Sequence, residues 1–280
     1  MYGHRCSNRS FVPAWALAAL VSIAILMPAG PSWAEGDVKI EWLTWTAFRI
    51  TSPGGKVILL NPWLKKSEGE TTPARGNPDS KTTLADISKA DIILVPTGHP
   101  DEVGHAVEIA KKTGAKVVAT HELNWSAFKG KIPRAQTVAV QPGSKVTVDG
   151  IGIRVVNALH GNGDLGGAAL GFFITFENGY TLYFSGSTDL TLDMKLWGEL
   201  FKPDAAILYL STSMDPRDVA LMAQFLSEKN PNLKTVIPSH HRLKQTAGRT
   251  PADLGEALAA LGVKAKLLDP QPGKVYTLSK

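Results

Sequence analysis

From residue 38 onward, short apolar runs alternate with turn residues at the spacing expected of strands. Val38 to Leu43, Ala47 to Thr51 and Lys56 to Leu60 read as three strands, and Ser52-Pro53-Gly54-Gly55 is a hairpin signal between the last two. The unbroken run Ile92 to Val95 suits a fully buried strand that Pro96 and Gly98 end, and the periodic segment Val103 to Lys112, backed by Gly114, predicts a helix. Further on come a strand over Lys116 to Thr120, a helix-like piece near Glu122 to Phe128 and several strands between Gln136 and Asn157. Two more runs, Ala169 to Phe176 and Thr181 to Phe184, flank the hairpin turn Asn178-Gly179. Strand and helix then alternate: a helix Leu192 to Leu200, a strand Ala205 to Leu210, a helix Arg217 to Leu226 capped by Asp215-Pro216, a strand Lys234 to Ile237, and a helix from Thr250-Pro251 to Gly262. The stretch Lys65 to Thr83 is polar and aperiodic, a long surface loop of the length used for lids. Strands continue on both sides of it without a change of composition, so the pattern predicts one α/β domain, two sheets with helices outside.

The first 34 residues stand apart from this pattern. Arg5 and Arg9 precede the apolar stretch Phe11 to Met27, and Ser32-Trp33-Ala34 has the small-residue spacing of a cleavage site, as in a secretory signal peptide. Pro13 and Ser22 inside the apolar stretch argue against an uncleaved membrane anchor. The expectation is a signal peptide over residues 1–34, a domain over 35–280, a periplasmic or secreted location, and no membrane association after cleavage. Cys6, the sole cysteine, lies in the leader, which leaves the domain without disulfides or thiolate chemistry. Losing Arg5 and Arg9 lowers the formal charge from +5 to +3, and that modest value gives no support to nucleic-acid binding.

Candidate chemistry gathers at the ends of the predicted strands. The loop after Val95 carries His99, Asp101 and Glu102, an imidazole and two carboxylates within four residues, a density suited to a divalent metal or to acid-base work. The alternative is a helix N-terminus that favours acidic residues. His160 follows the strand ending at Asn157, Ser187 and Asp189 follow Phe184, and His240 follows Ile237. Residues at successive strand ends converge on one rim even when far apart in sequence. His121 and His241 read as exposed side chains without a role, and His105 as a residue of the following helix that faces away.

With these residues in place, the chain resembles the metallo-β-lactamase superfamily, in the branch of small metal-dependent hydrolases that includes the L-ascorbate-6-phosphate lactonases. The resemblance spans nearly the whole domain. It rests on Glu41 to Ile50, Asn61-Pro62-Trp63, the central loop, Ala158-Leu159-His160, Gly186-Ser187-Thr188-Asp189 and Val236 to His240. It implies an αββα sandwich, two mixed sheets with outer helices, and a dinuclear metal site along one edge. It also exposes departures. The family's loop reads His-x-His-x-Asp-His where this chain has Thr97-Gly98-His99-Pro100-Asp101-Glu102; the bridging carboxylate falls at Ser187, a histidine at Trp45 and an aspartate at Asn61. Of the family's ligand positions, His99, Asp101, His160 and His240 keep the expected type.

Two divalent ions roughly 3.5–4 Å apart need a bridging anion, so the resemblance with these departures implies at most one ion, zinc or manganese, or none. Three protein ligands and a water suffice for one. His99, Asp101, His160 and His240 are the candidate ligands, with Glu102 a replacement ligand or, beside Asp101, the catalytic base. Two functions compete: an exported hydrolase acting on an ester, lactone or phosphoester of a small molecule, and a non-catalytic periplasmic binding protein that keeps the fold without the metals. Metal-free catalysis by Ser187 lacks the Gly-x-Ser-x-Gly elbow that such a nucleophile requires.

Overall fold

The computed structural model describes residues 1–3, 35–162, 166–243 and 249–280. The chain divides into two compact units, Met1–Ser32 and Trp33–Lys280. Of the first only residues 1–3 are described, so the expected signal peptide lies outside the described residues. Among the described residues, no helix is long and apolar enough to cross a membrane.

The second unit holds two seven-stranded sheets. The first contains β1 (Val38–Thr44), β2 (Ala47–Thr51), β3 (Val57–Leu60), β4 (Ile92–Leu94), β5 (Lys116–Thr120), β6 (Thr137–Val140) and β14 (Val275–Leu278), in the order β14-β1-β2-β3-β4-β5-β6. The second contains β7 (Lys145–Val148), β8 (Ile151–Asn157), β9 (Leu170–Thr175), β10 (Thr181–Phe184), β11 (Ala205–Tyr209), β12 (Thr235–Ser239) and β13 (Lys266–Leu267), in the order β13-β12-β11-β10-β9-β8-β7. In the first sheet β14, β1, β2 and β3 pair antiparallel and β3 to β6 parallel; in the second β7 to β10 pair antiparallel and β10 to β13 parallel. The hairpin signals at Pro53-Gly54-Gly55 and Asn178-Gly179 lie at the antiparallel pairs β2–β3 and β9–β10.

Period-two side-chain alternation builds the layers. Ile92 and Leu94 of β4 point into the core between the sheets, where they meet Ile153, Phe172, Leu182 and Ile207 of the second sheet. Ile93 and Val95 point the other way and pack on Ala106, Ile109 and Ala110 of α2 (Ala106–Thr113). On the far side Phe173, Tyr183 and Leu208 pack against Met194 and Trp197 of α4 (Asp193–Phe201), Val219 and Met222 of α5 (Pro216–Ser227) and Leu254 of α6 (Pro251–Ala260). Helix, sheet, sheet, helix is the expected αββα order. Each of the fully buried large side chains contributes roughly 1.5–3 kcal/mol relative to exposure.

Two predicted elements change on folding. The helix expected from Val103 to Lys112 is instead α1 (Pro100–Val103) and α2, broken at Gly104. Gly104 has φ +46°, and a Cβ there would lie 2.5 Å from the Pro62 carbonyl oxygen, so the chain turns where only glycine fits. The piece near Glu122 to Phe128 is a short helix, α3 (His121–Leu123), that widens into a π-helical turn over Asn124–Phe128.

The loop from Lys65 to Thr83 is fastened to the body. Asn77 Nδ2 donates to Thr44 Oγ1 and to the Trp63 carbonyl, both at 3.1 Å, and Trp63 Nε1 donates to the Arg75 carbonyl at 2.5 Å. His105, expected on the helix and turned away, is the residue just before α2 and wholly buried under this loop. Its Nδ1 accepts from the Leu64 amide at 3.2 Å and its Nε2 meets Glu70 Oε1 at 3.1 Å. It points away from the His99 rim because the break at Gly104 turns it toward Leu64.

Candidate active site

The C-terminal ends of β4, β8, β10, β11 and β12 meet along one edge of the sandwich, where each strand hands its chain to a polar loop. β4 leads through Thr97 and His99 into α1, whose first turn carries Asp101 and Glu102. β8 leads to His160, β10 to Ser187, β11 ends on Tyr209, and β12 leads to His240. The backbone of this rim is strained: Thr44, Trp45, Asn61 and His240 all have positive φ, at +87°, +55°, +44° and +66°. Such conformations cost of order 1–3 kcal/mol each and cluster at functional sites.

The site separates into a floor and an outer rim. On the floor Glu102 is 1% exposed. The Thr97 hydroxyl donates to its Oε2 at 2.5 Å and the Ser187 hydroxyl to its Oε1. Burial raises its pKa, and the two hydroxyl hydrogen bonds do not cancel that effect. Both oxygens are engaged and solvent is excluded, so Glu102, expected as replacement ligand or base, has no path to a bound water. Of the expected residues, Glu102 is the one the fold withdraws.

The rim keeps its chemistry open. Asp101 Oδ2 accepts from Trp45 Nε1 at 2.9 Å and pairs with His240 Nε2 at 3.1 Å. Burial works against the Asp101 carboxylate, but the His240 hydrogen bond and charge and the Trp45 N–H outweigh it, so its pKa is lowered. His99 and His160 meet edge to face with ring centroids 5.0 Å apart, and neither imidazole hydrogen-bonds to another described side chain. The His160 pKa is lowered, first by burial and then by the charges of His99 and His240. Thus the structure brings His99, Asp101, His160 and His240 to one edge, as two adjoining pairs.

Tyr209 was not singled out in the sequence. Its ring lies between the pairs, 5.9 Å from His160 and 4.8 Å from His240 by centroids. Burial raises its pKa, so the phenol remains a proton donor at neutral pH. The available signal was its place at a strand end; a tyrosine in an apolar strand otherwise reads as core. His241, read as an exposed side chain without a role, is corrected: it is 4% exposed and stacks on Trp42 at 4.3 Å, with its pKa pushed down to about 4 by burial and by His240. The backbone bridge between Trp45 and His241 draws it inward. His121 is exposed, as expected.

Metal fit divides along the same line. The floor lacks a bridging anion, because Ser187 and Glu102 are spent on each other, and a two-ion centre does not fit these residues. On the rim the imidazoles of His99 and His160 have no hydrogen-bond partner among the described residues, and neither does the buried His240 Nδ1. As the side chains stand, no three His, Cys, Asp or Glu groups among the described residues surround a common point. His99 and His160 already face each other, and a third donor would have to come from the Asp101–His240 pair by movement of a side chain.

Residues 39–240 match the model of the beta-lactamase superfamily domain. A UPF0173 metal-dependent hydrolase from Thermodesulfovibrio yellowstonii is 32% identical over 91% of this chain and 97% of its own length. Another from Koribacter versatilis is 36% identical over 72% of this chain and 84% of its own. Among solved structures, Igni18, a metallo hydrolase from the archaeon Ignicoccus hospitalis, superposes with a TM-score of 0.72 at 27% identity, covering 88% of this chain and all of its own. With its sandwich, its rim of strand ends and these matches over most of its length, the chain belongs to the metallo-β-lactamase superfamily, beside the UPF0173 metal-dependent hydrolases.

Proposed function

We propose that the protein is a metal-dependent hydrolase that works with at most one divalent ion, zinc or manganese, on an ester, lactone or phosphoester of a small molecule. The observation that carries this reading is the facing pair His99 and His160, one half-buried and one exposed imidazole with no hydrogen-bond partner among the described residues, beside a carboxylate. The curated relatives, named as metal-dependent hydrolases, support it. When bound, the ion would supply polarisation of the carbonyl or phosphoryl oxygen and a more acidic water. His99 and His160 would hold it with Asp101.

The chain's own groups supply the remainder. Asp101, kept ionised by His240 and Trp45, would bring the negative charge that balances the ion. Tyr209 presents a neutral phenol between His160 and His240, placed to donate to a developing oxyanion. Glu102 takes no part beyond holding the floor closed. Export belongs to the same proposal: the Ser32-Trp33-Ala34 junction supports a mature chain beginning at Glu35, which mass spectrometry of the envelope fraction would test; an intact Met1 would contradict it.

A second reading, a binding protein without catalysis, draws on the Thr97–Glu102–Ser187 closure, which ties up the floor's carboxyl in two hydrogen bonds where the resemblance places metal ligands. Metal analysis of the purified protein, paired with a hydrolysis screen over esters, lactones and phosphoesters, separates the two. One ion per chain with turnover lost in His160→Ala supports the hydrolase. No ion after incubation with zinc or manganese, and no turnover, supports the binding protein.

A further inference from the structure

Beside the rim lies a cleft of about 410 Å³, within the size range of small-molecule sites. Gly98 and Pro100, on either side of His99, form the end nearest the candidate site. Val103 and Val107 line its floor, half-buried apolar side chains that already pack on the outer core cluster. Arg75 on the loop and Lys131 beyond the π-helical turn bring two cations to its lining against one carboxylate, Glu108. Neither cation has a salt bridge among the described residues.

The wall carrying Arg75 is held in place. Trp63 Nε1 donates to the Arg75 carbonyl, Glu70 meets buried His105, and Lys66 Nζ donates to the Thr72 carbonyl at 2.7 Å. The floor is equally constrained, since Gly104 seats α1 against Pro62. A preformed cleft with an apolar floor and cationic lining selects a ligand with an apolar body and an anionic end, because such a ligand gains from burial and from charge together.

We propose that this cleft binds the non-reacting part of the substrate, and that this part is a short apolar chain or ring ending in an anionic group such as a carboxylate. The word substrate rests on the hydrolase reading; the binding preference does not. The apolar body lies along Val103 and Val107, the anionic end meets Arg75 and Lys131, and the ester, lactone or phosphoester end reaches the loop of His99. Glu108 opposes the anion and limits affinity.

Calorimetric titration of the full protein with octanoate, octan-1-ol and octylamine tests the idea without requiring turnover. Octanoate should bind at least about tenfold more tightly than octanol, and octylamine should bind no better than octanol. Arg75→Gln with Lys131→Gln, both exposed positions, should weaken octanoate by about tenfold or more and leave octanol unchanged. Glu108→Gln should tighten octanoate, a change of sign that a general loss of structure would not produce. Octanoate binding no tighter than octanol, or binding indifferent to the double variant, would overturn the proposal. Metal content and hydrolysis, measured separately, decide the hydrolase reading whichever way the titration falls.

Discussion

Asp101 and Glu102 are adjacent in the chain, yet one serves an open rim and the other a closed floor. Asp101 meets two N–H donors, Trp45 and His240, while keeping part of its surface in solvent. Glu102 points inward to two hydroxyls, 1% exposed. Donors that favour the anion, with some hydration left, keep the first carboxylate charged; burial favours the neutral form of the second. The same contrast separates the retained histidines, which lie on the rim, from Thr97 and Ser187, which lie on the floor. Histidines and a charged carboxylate stand where water reaches, and a buried carboxyl whose pKa is raised stands between two hydroxyls where it does not.

The largest expected effect comes from reversing the floor. Thr97→His, Glu102→His and Ser187→Asp together restore imidazoles and a bridging carboxylate, so calorimetric titration with zinc should give up to two ions per chain. In chelator the same variant should melt well below the natural protein and recover with zinc, since bound metal adds folding energy of order 10 kcal/mol in dedicated sites. A normally folded variant that gains no metal would break the assignment of these strand ends to one site. Next in size is Glu102→Ala, which leaves two buried hydroxyls without their acceptor and opens a cavity. It should cost about 2–4 kcal/mol in denaturant unfolding.

The two carboxyls should also respond to pH with opposite signs. The folded pKa of Glu102 is raised above its ordinary 4.5, so its stabilising neutral form is fully present below that value and its contribution is lost as pH rises through the folded pKa. Stability of Glu102→Gln measured against the natural protein should therefore shift in the variant's favour as pH climbs above 4.5. Asp101, lowered from 3.8, contributes stability above that value and loses it as pH falls through the folded pKa. Asp101→Asn should cost about 1–2 kcal/mol at neutral pH and progressively less toward acid. Parallel pH profiles for the two variants would contradict the rim and floor distinction.

His160→Ala should have the smallest effect on folding, within about 0.5 kcal/mol, because the ring is exposed and has only ring contacts with described side chains. Its effect on metal content should nonetheless be complete under the proposed function. A large loss of stability with metal retained would reverse its assignment.

Much of this was legible in the sequence, for physical reasons that differ by element. Strand positions followed from apolar runs punctuated by Pro, Gly and Asn-Gly, and helix starts at Asp215-Pro216 and Thr250-Pro251 followed from capping chemistry that is local. Local signals survive folding because the chain cannot satisfy them in another way. The helix break at Gly104 escaped notice because its cause is the distant Pro62 carbonyl, and Tyr209 because a tyrosine at a strand end reads as core.

By itself the sequence determined two sheets with helices outside and which residue types stand at the strand ends, since periodicity and turn residues specify both, while the αββα order was implied by the resemblance those residues carry. Tertiary structure alone decided what those residues are chemically. Glu102 is withdrawn because its helix turns it onto Thr97 and Ser187, 5 and 85 residues away. His241 is buried because Trp45 draws it inward, while Asp101 stays charged because His240 arrives from another sheet. Protonation state and access depend on neighbours brought from across the fold, and spacing along a chain carries no record of them.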